Sequence, residues 1–208
     1  MRKHAIVTMV MAIALAVPVI TPAAEAPQTE TTTDAEGKEY TFRGIPWGSS
    51  LKEVENSDFL KKYTDYEYNK DYHAILINDE NLTVAQKSTS AAMYIGKSGL
   101  YQAVYLLSEK HTNLNSYVED FNDVLDALTK KYGEPDDTED NWKDDLYKDD
   151  PSDYGMAVGA GHVKFIRRWY GNDSSLTIGC IGDNFEITNV ICYNSLSLQP
   201  EETEDDGL

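Results

Sequence analysis

Cysteine is scarce in this chain. Its 208 residues hold two, Cys180 and Cys192, too few for the disulfide framework that small exported domains use in place of a core. Histidine is scarce as well. His73, His111 and His162 never fall in the His-x-x-x-His or His-Glu-x-x-His spacing of a zinc helix. Lys and Arg number 18 against 36 Asp and Glu. That deficit of positive charge excludes nucleic acid as a partner, because its binding depends on Lys and Arg displacing counterions from phosphates. An anionic lipid surface is disfavoured for the same reason. One long apolar run occurs, Ala5 to Val17, interrupted by Thr8 and closed by Pro18. A membrane-spanning helix needs about 20 apolar residues, so this run predicts no membrane insertion.

What the run does fit is a secretory leader. Arg2, Lys3 and His4 make a basic head before it, and Thr21-Pro22-Ala23-Ala24 makes a small-residue exit after it. Cleavage after Ala23 predicts a mature protein that begins at residue 24 and works outside the cytosol, in the periplasm or the medium. Losing Arg2 and Lys3 leaves 16 basic against 36 acidic residues, a balance of −20. Such acidity keeps an exported chain soluble, and leaves cations, basic protein surfaces and neutral glycans as partners.

The rest of the chain divides simply. Residues 24–39 are rich in Thr, Glu, Pro and Ala without apolar periodicity, and read as a flexible linker. Residues 40–198 read as one domain, and residues 199–208 as an acidic, disordered tail. Within the domain, Ser50 and Glu53 form a capping box ahead of a short helix carrying Leu51 and Val54. From Tyr63 to Leu107 the pattern turns to strands, with Gly96-Lys97-Ser98-Gly99 as a hairpin turn. Ser116 and Glu119 form a second capping box, and Tyr117, Phe121, Val124, Leu125, Leu128 and Tyr132 recur at helical spacing up to the Gly133–Pro135 stop. Residues 136–153 read as an acidic loop. Val163 to Tyr170, Ser175 to Ile181 and Glu186 to Tyr193 read as three strands. The expected fold class is α+β: a single antiparallel sheet with one long and one short helix packed on one face. A capped helix followed by strands occurs twice.

Sites of chemistry are few. Ala91 stands where a P-loop needs its first glycine before Gly96-Lys97-Ser98, and a strand rather than a helix follows. No Gly-x-Ser-x-Gly elbow exists, and no catalytic residue is assigned. Cys180 with His162 would make a thiol pair, but Cys180 lies in an apolar strand that suits a buried, inert thiol. A hairpin turning at Asp183-Asn184 sets Cys180 opposite Ile187 and Cys192 opposite Ser175. The offset is five residues, about 16 Å along the strands, against about 7 Å for a disulfide; free thiols are expected.

No cofactor is expected. Calcium is the one alternative: Asp136, Thr138 and Asp140 copy the first three alternating ligands of an EF-hand loop, while Asn141 and Tyr147 replace its glycine and its bidentate glutamate. A looser cage using Asp144, Asp145, Asp149, Asp150 or Asp153 stays open, beside the plainer reading of a solvated loop. Tyrosine is abundant, with 14 copies against five phenylalanines. Tyr66, Tyr68 and Tyr72, expected on one strand face beside Glu67, Asn69 and Asp71, suit stacking on a glycan or anchoring a protein. The plainer reading is that they roof the core beneath the long helix.

Phe42-Arg43-Gly44-Ile45-Pro46-Trp47-Gly48-Ser49-Ser50-x-x-Glu53-Val54, with Leu128-x-x-x-Tyr132-Gly133-Glu134-Pro135 and Trp142 far downstream, resembles small exported proteins and lipoproteins of gut-type anaerobic bacteria. Those are domains of unknown function, and the resemblance brings no catalytic residues. Gly48-x-Ser50-x-x-Glu53-Val54 is also similar to the opening helix of the outer-membrane assembly lipoprotein and β-lactamase-inhibitor-protein group, which joins helices to an antiparallel sheet. The first expectation is therefore a non-enzymatic exported binding module. An inhibitor or assembly partner of a secreted or envelope protein is implied second, and an extracellular hydrolase stands third.

Overall fold

The computed structural model describes residues 38–198. The predicted leader, nearly all of the linker and the acidic tail lie outside the described residues. The domain opens on a tight turn, where a bridge between Phe42 and Ile45 encloses Arg43 (φ 56°) and Gly44 (φ 77°). Helix α1 (Leu51–Glu55) follows with the predicted capping box. The Ser50 hydroxyl accepts from the Glu53 N–H at 3.4 Å, and the Glu53 carboxylate accepts from the Ser50 N–H at 2.8 Å.

Nine strands then build one antiparallel sheet around two further helices. They are β1 (Tyr66–Asn69), β2 (Ala74–Ile77), β3 (Thr83–Val84), β4 (Lys87–Gly96), β5 (Gly99–Leu107), β6 (Asp137–Trp142), β7 (Val163–Tyr170), β8 (Ser174–Asp183) and β9 (Glu186–Ser195). Helix α2 (Asn115–Tyr132) separates β5 from β6, and helix α3 (Tyr154–Gly159) separates β6 from β7. The sheet order is β1-β2-β4-β5-β9-β8-β7-β6, with β3 paired only to β4. Each half of the chain is thus a helix followed by a meander that runs from one sheet edge to the centre. The halves join where β5 meets β9.

All three helices pack into one apolar cluster with the same face of the sheet. Phe121, Val124 and Leu128 of α2 are buried there, with Tyr117, Leu125 and Tyr132 packed at the margin as their spacing predicts. The opposite face carries a smaller apolar cluster that includes Leu76, Tyr94, Val104 and Val190. Strands apolar on both faces explain the unbroken run Ala74–Ile77 and the near-continuous one in β4. No described helix is long and apolar enough to cross a membrane.

Three sequence expectations are corrected. Residues 136–153 are not one loop, because Asp137–Trp142 forms edge strand β6. Cross-strand ion pairs hold it: Arg168 on β7 reaches Asp137 at 2.6 Å and Glu139 at 2.8 Å, and Arg167 reaches Asp140 at 2.7 Å. An acidic strand whose partner supplies the cations carries no apolar alternation to find. Helix α2 does not use Ser116 as its cap, since the helix already begins at Asn115. Instead Asn113 accepts from the Asn115 N–H at 3.1 Å, and the Asn115 side chain accepts from the Gly155 N–H at 2.5 Å, tying α2 to α3. Finally, the β8–β9 hairpin turns at Asn184-Phe185, so Cys180 faces Asn189 and Cys192 faces Thr177. The offset is odd, which puts the two sulfurs on opposite faces of the sheet, each in a different apolar cluster. Both cysteines are free and buried, and alkylation of the unfolded, unreduced protein is expected to label two thiols.

Glycine is required where the opening turn meets the β4–β5 hairpin. Gly99 has φ +94°, and a Cβ there would lie 2.1 Å from the Gly48 carbonyl oxygen. The contact lets Gly48 donate to the Leu100 carbonyl at 2.9 Å and Leu100 donate to the Ser49 carbonyl at 2.8 Å. Gly99→Ala is expected to lower stability by about 2 kcal/mol or more, read as the midpoint of urea unfolding. An unmoved midpoint would show that the contact is slack.

Candidate functional site

A cleft of about 540 Å³ opens between the first turn, the C-terminal half of α2 and the β3–β4 hairpin. Its volume lies in the range of small-molecule sites. Tyr105 of β5 and Tyr193 of β9 belong to its lining from the helix-covered face of the sheet. They are diagonal neighbours, since Tyr105 pairs with Ile191 and Ala103 with Tyr193. Phe42 and Tyr132 add rings, with Phe42 4.8 Å from Tyr105 and 5.8 Å from Tyr193 between centroids.

Arg43 is the polar centre of this arrangement. Its left-handed backbone costs a side-chain-bearing residue about 1 kcal/mol or more. In return its guanidinium lies 5.4 Å from the Tyr105 ring centroid and 5.5 Å from that of Phe59. Nε donates to the Tyr105 hydroxyl and Nη2 to the Thr83 carbonyl at 3.2 Å. The opposite rim is strained as well, because Ala85 (φ 48°) and Gln86 (φ 66°) form the β3–β4 turn in a conformation that favours Asn-Gly.

The charge of the cleft runs against that of the chain. Its charged lining residues are Arg43, Lys131 and Glu39. Glu39 is engaged elsewhere, accepting from the Asp173 N–H at 3.1 Å and the Ser174 hydroxyl at 2.9 Å. Lys131 sits over the Tyr132 ring, 4.6 Å from its centroid. The tyrosine hydroxyls stay protonated: burial first, opposed by Arg43, pushes Tyr105 up to about 12, and burial raises Tyr193 further. The cleft therefore offers rings, neutral hydroxyl donors and two cations.

The residues picked from the sequence are distributed otherwise. Tyr66 and Tyr68 lie on β1 opposite Ile77 and Ile75 and share the helix-side face. β1 ends at Asn69, so Tyr72 lies in the following turn and packs on the opposite cluster. The expected single tyrosine face is therefore split. Tyr66 is the most open of the three at 38 % exposure, while Tyr68 packs at the core margin with its hydroxyl 3.3 Å from His73.

The calcium candidates do not converge. Asp136 accepts from the Tyr170 N–H, Asp140 pairs with Arg167, Asp145 with Lys148, and Asp144 accepts from the Leu146 N–H. His162 stacks on Tyr147 and lies 4.0 Å from Asp144. Cys180 is fully buried, and its thiol is raised by that burial, which removes the thiol-pair alternative.

Arg43, Tyr105, Tyr132, Lys131 and Tyr193 were not marked as site residues from the sequence. The available signal was Arg43-Gly44, a cation placed ahead of glycine in a turn, inside the motif that carries the family resemblance. No family model matches this chain, nor does any curated protein or solved structure.

Tyr105 makes the fold sensitive to alkali. An unfolded tyrosine ionises near 10, whereas Tyr105 is pushed up to about 12. The folded state keeps a proton that the unfolded chain gives up. Its contribution is thus complete below about pH 10 and is lost as pH rises towards about 12. Circular dichroism is expected to show stability falling across that window, with a shallower fall for Tyr105→Phe; identical slopes would contradict the assignment.

Proposed function

We propose that this protein is a non-enzymatic binding module, exported by its leader, and that the cleft at Arg43 takes a small ligand with a carboxylate on a planar or apolar body. One observation carries the reading: a strained arginine is held over two aromatic rings in a cleft whose lining is cationic within an acidic chain. Non-glycine residues keep left-handed backbone where their surroundings over-determine it, and such positions concentrate at ligand sites. A guanidinium already stacked on rings is pre-organised for a carboxylate, so little ordering entropy opposes binding. Tyrosine faces supply apolar area, and their protonated hydroxyls supply donors that fix orientation. None of these groups has to change protonation for binding, which supports recognition rather than turnover.

The reading modifies the expectation drawn from Tyr66, Tyr68 and Tyr72. Those residues favour a protein or glycan contact only as separate surfaces. The cleft gathers its aromatic and charged groups in one place. A library of aromatic and aliphatic carboxylates, titrated against the protein and followed by NMR shifts of the tyrosine rings, is the test. Aromatic carboxylates are expected to bind, and the matching amides to bind at least about tenfold more weakly, the scale of one charge-assisted hydrogen bond. Arg43→Ala is expected to abolish the shifts and Lys131→Ala to weaken them. Equal binding of acids and amides would refute the carboxylate, and no shift with any member would refute the site.

A further inference from the structure

The one group of metal-ligating side chains that lies together among the described residues is outside the acidic segment. It is Glu109, His111 and Asp120, each offering a ligand atom within 4.8 Å of the others. Glu109 and His111 lie between β5 and α2, and Asp120 is in the second turn of α2. The geometry points to a binding site for one divalent transition cation of the zinc class, held by the His111 imidazole and the Asp120 and Glu109 carboxylates.

The donor set selects the cation. Imidazole with two carboxylates suits zinc, whereas calcium requires six to eight oxygens. Three protein ligands leave a fourth position for water. Each donor is already oriented. Asp120 is only 4 % exposed, and its Oδ2 lies 2.6 Å from His111 Nε2. The His111 backbone N–H donates to the Tyr117 hydroxyl at 3.2 Å, and the imidazole meets the Tyr117 ring edge-on at 4.8 Å between centroids. Glu109 Oε1 accepts from the Ser88 N–H at 3.3 Å. Contacts of this kind around a ligand set fix ligand orientation.

Charge balance points the same way. Lys87 Nζ lies 2.7 Å from Asp120 and 2.8 Å from Asp123. Glu109, Asp120 and Asp123 together set three carboxylates against that one ammonium. Counting His111 as the neutral imidazole that a metal ligand must be, these groups leave a surplus of two negative charges, one of them on the nearly buried Asp120. A dication placed among Oδ2 of Asp120, Nε2 of His111 and Glu109 balances it, while Lys87 keeps Asp123. At metal–ligand lengths near 2.0–2.1 Å, tetrahedral donors stand about 3.3 Å apart. The His111–Asp120 pair must therefore open by roughly 0.7 Å as the cation replaces the bridging proton, and the ring then carries its proton on Nδ1. His111 and Glu109 are half-buried, so an ion reaches the site from solvent.

The test uses the full chain, stripped with chelator and titrated with zinc by calorimetry, with bound metal counted by elemental analysis. One zinc per chain is expected. His111→Gln and Glu109→Gln should each weaken it by about tenfold or more, with unchanged circular dichroism, and His162→Gln should leave it intact. Lys87→Met, which removes the competing ammonium, should tighten it. Cobalt(II) should give the intense visible absorption of a four-coordinate site in the wild type and lose it in His111→Gln. Zinc bound equally by His111→Gln, no zinc bound by the wild type, or calcium displacing zinc at equal concentration would each overturn the assignment. Loss of fold in Asp120→Asn would not replace these readouts, because the other two ligands carry the test.

Discussion

The pairing of β5 with β9 is the constraint on which the rest of the molecule depends. Each half of the described chain brings its meander to the sheet centre, and among the described residues the ladder that joins the halves runs from Gln102–Asn194 to Leu106–Val190. These partners are far apart in sequence, so the ladder closes a long loop before it gains any hydrogen bond. What stabilises it is burial on both faces: Ala103, Tyr105, Ile191 and Tyr193 on the helix side, and Val104, Leu106, Val190 and Cys192 on the other. The same register sets Tyr105 and Tyr193 side by side. The seam that unites the halves thus also builds the aromatic part of the cleft.

Electrostatics divides into a general excess and a few local reversals. With 36 acids in the chain, cations are rare enough for their positions to be informative. Arg168, 3 % exposed, holds the edge strand β6 through Asp137 and Glu139. Lys87 pins the β3–β4 hairpin to α2 through Asp120 and Asp123. Arg43 joins the first turn to β5 and the β3 segment. Each cation therefore ties together segments distant in the chain. Partial burial strengthens such pairs relative to surface ones, because less water screens them. The cleft's rims are held by two of these three ties, which is why rigidity and cationic character coincide there.

Most of the fold was legible because its signals are local. The capping box at Ser50 and Glu53 and the stripe from Tyr117 to Tyr132 each belong to one element, the Gly96–Gly99 turn joins two consecutive strands, and each appears where local pattern places it. The failures have a shared cause. Strand β6 is stabilised by arginines on a strand that begins 21 residues after β6 ends. The start of α2 is set by Asn113 and by contact with α3, so Ser116 has no capping role. The β8–β9 turn falls one residue later than composition suggests, with Asn184 (φ 48°) and Phe185 (φ 62°) both left-handed. Asp120 offered a faint signal: it stands four residues before Val124, on the buried side of α2, where an acid needs partners.

The sequence by itself determined the α+β class, the single antiparallel sheet with helices on one face, the core stripe of the long helix and the acidic character of the whole. These follow from hydrophobic periodicity, capping and charge count, which act within a few residues or over the entire composition. The tertiary structure alone decided that Cys180 faces Asn189 and Cys192 faces Thr177, that Tyr66, Tyr68 and Tyr72 do not form one surface, and that Arg43 meets Tyr105 while His111 meets Asp120. Those outcomes depend on strand register and on helix placement against the sheet. Both are set by the packing of many residues together, and no short stretch of chain contains them.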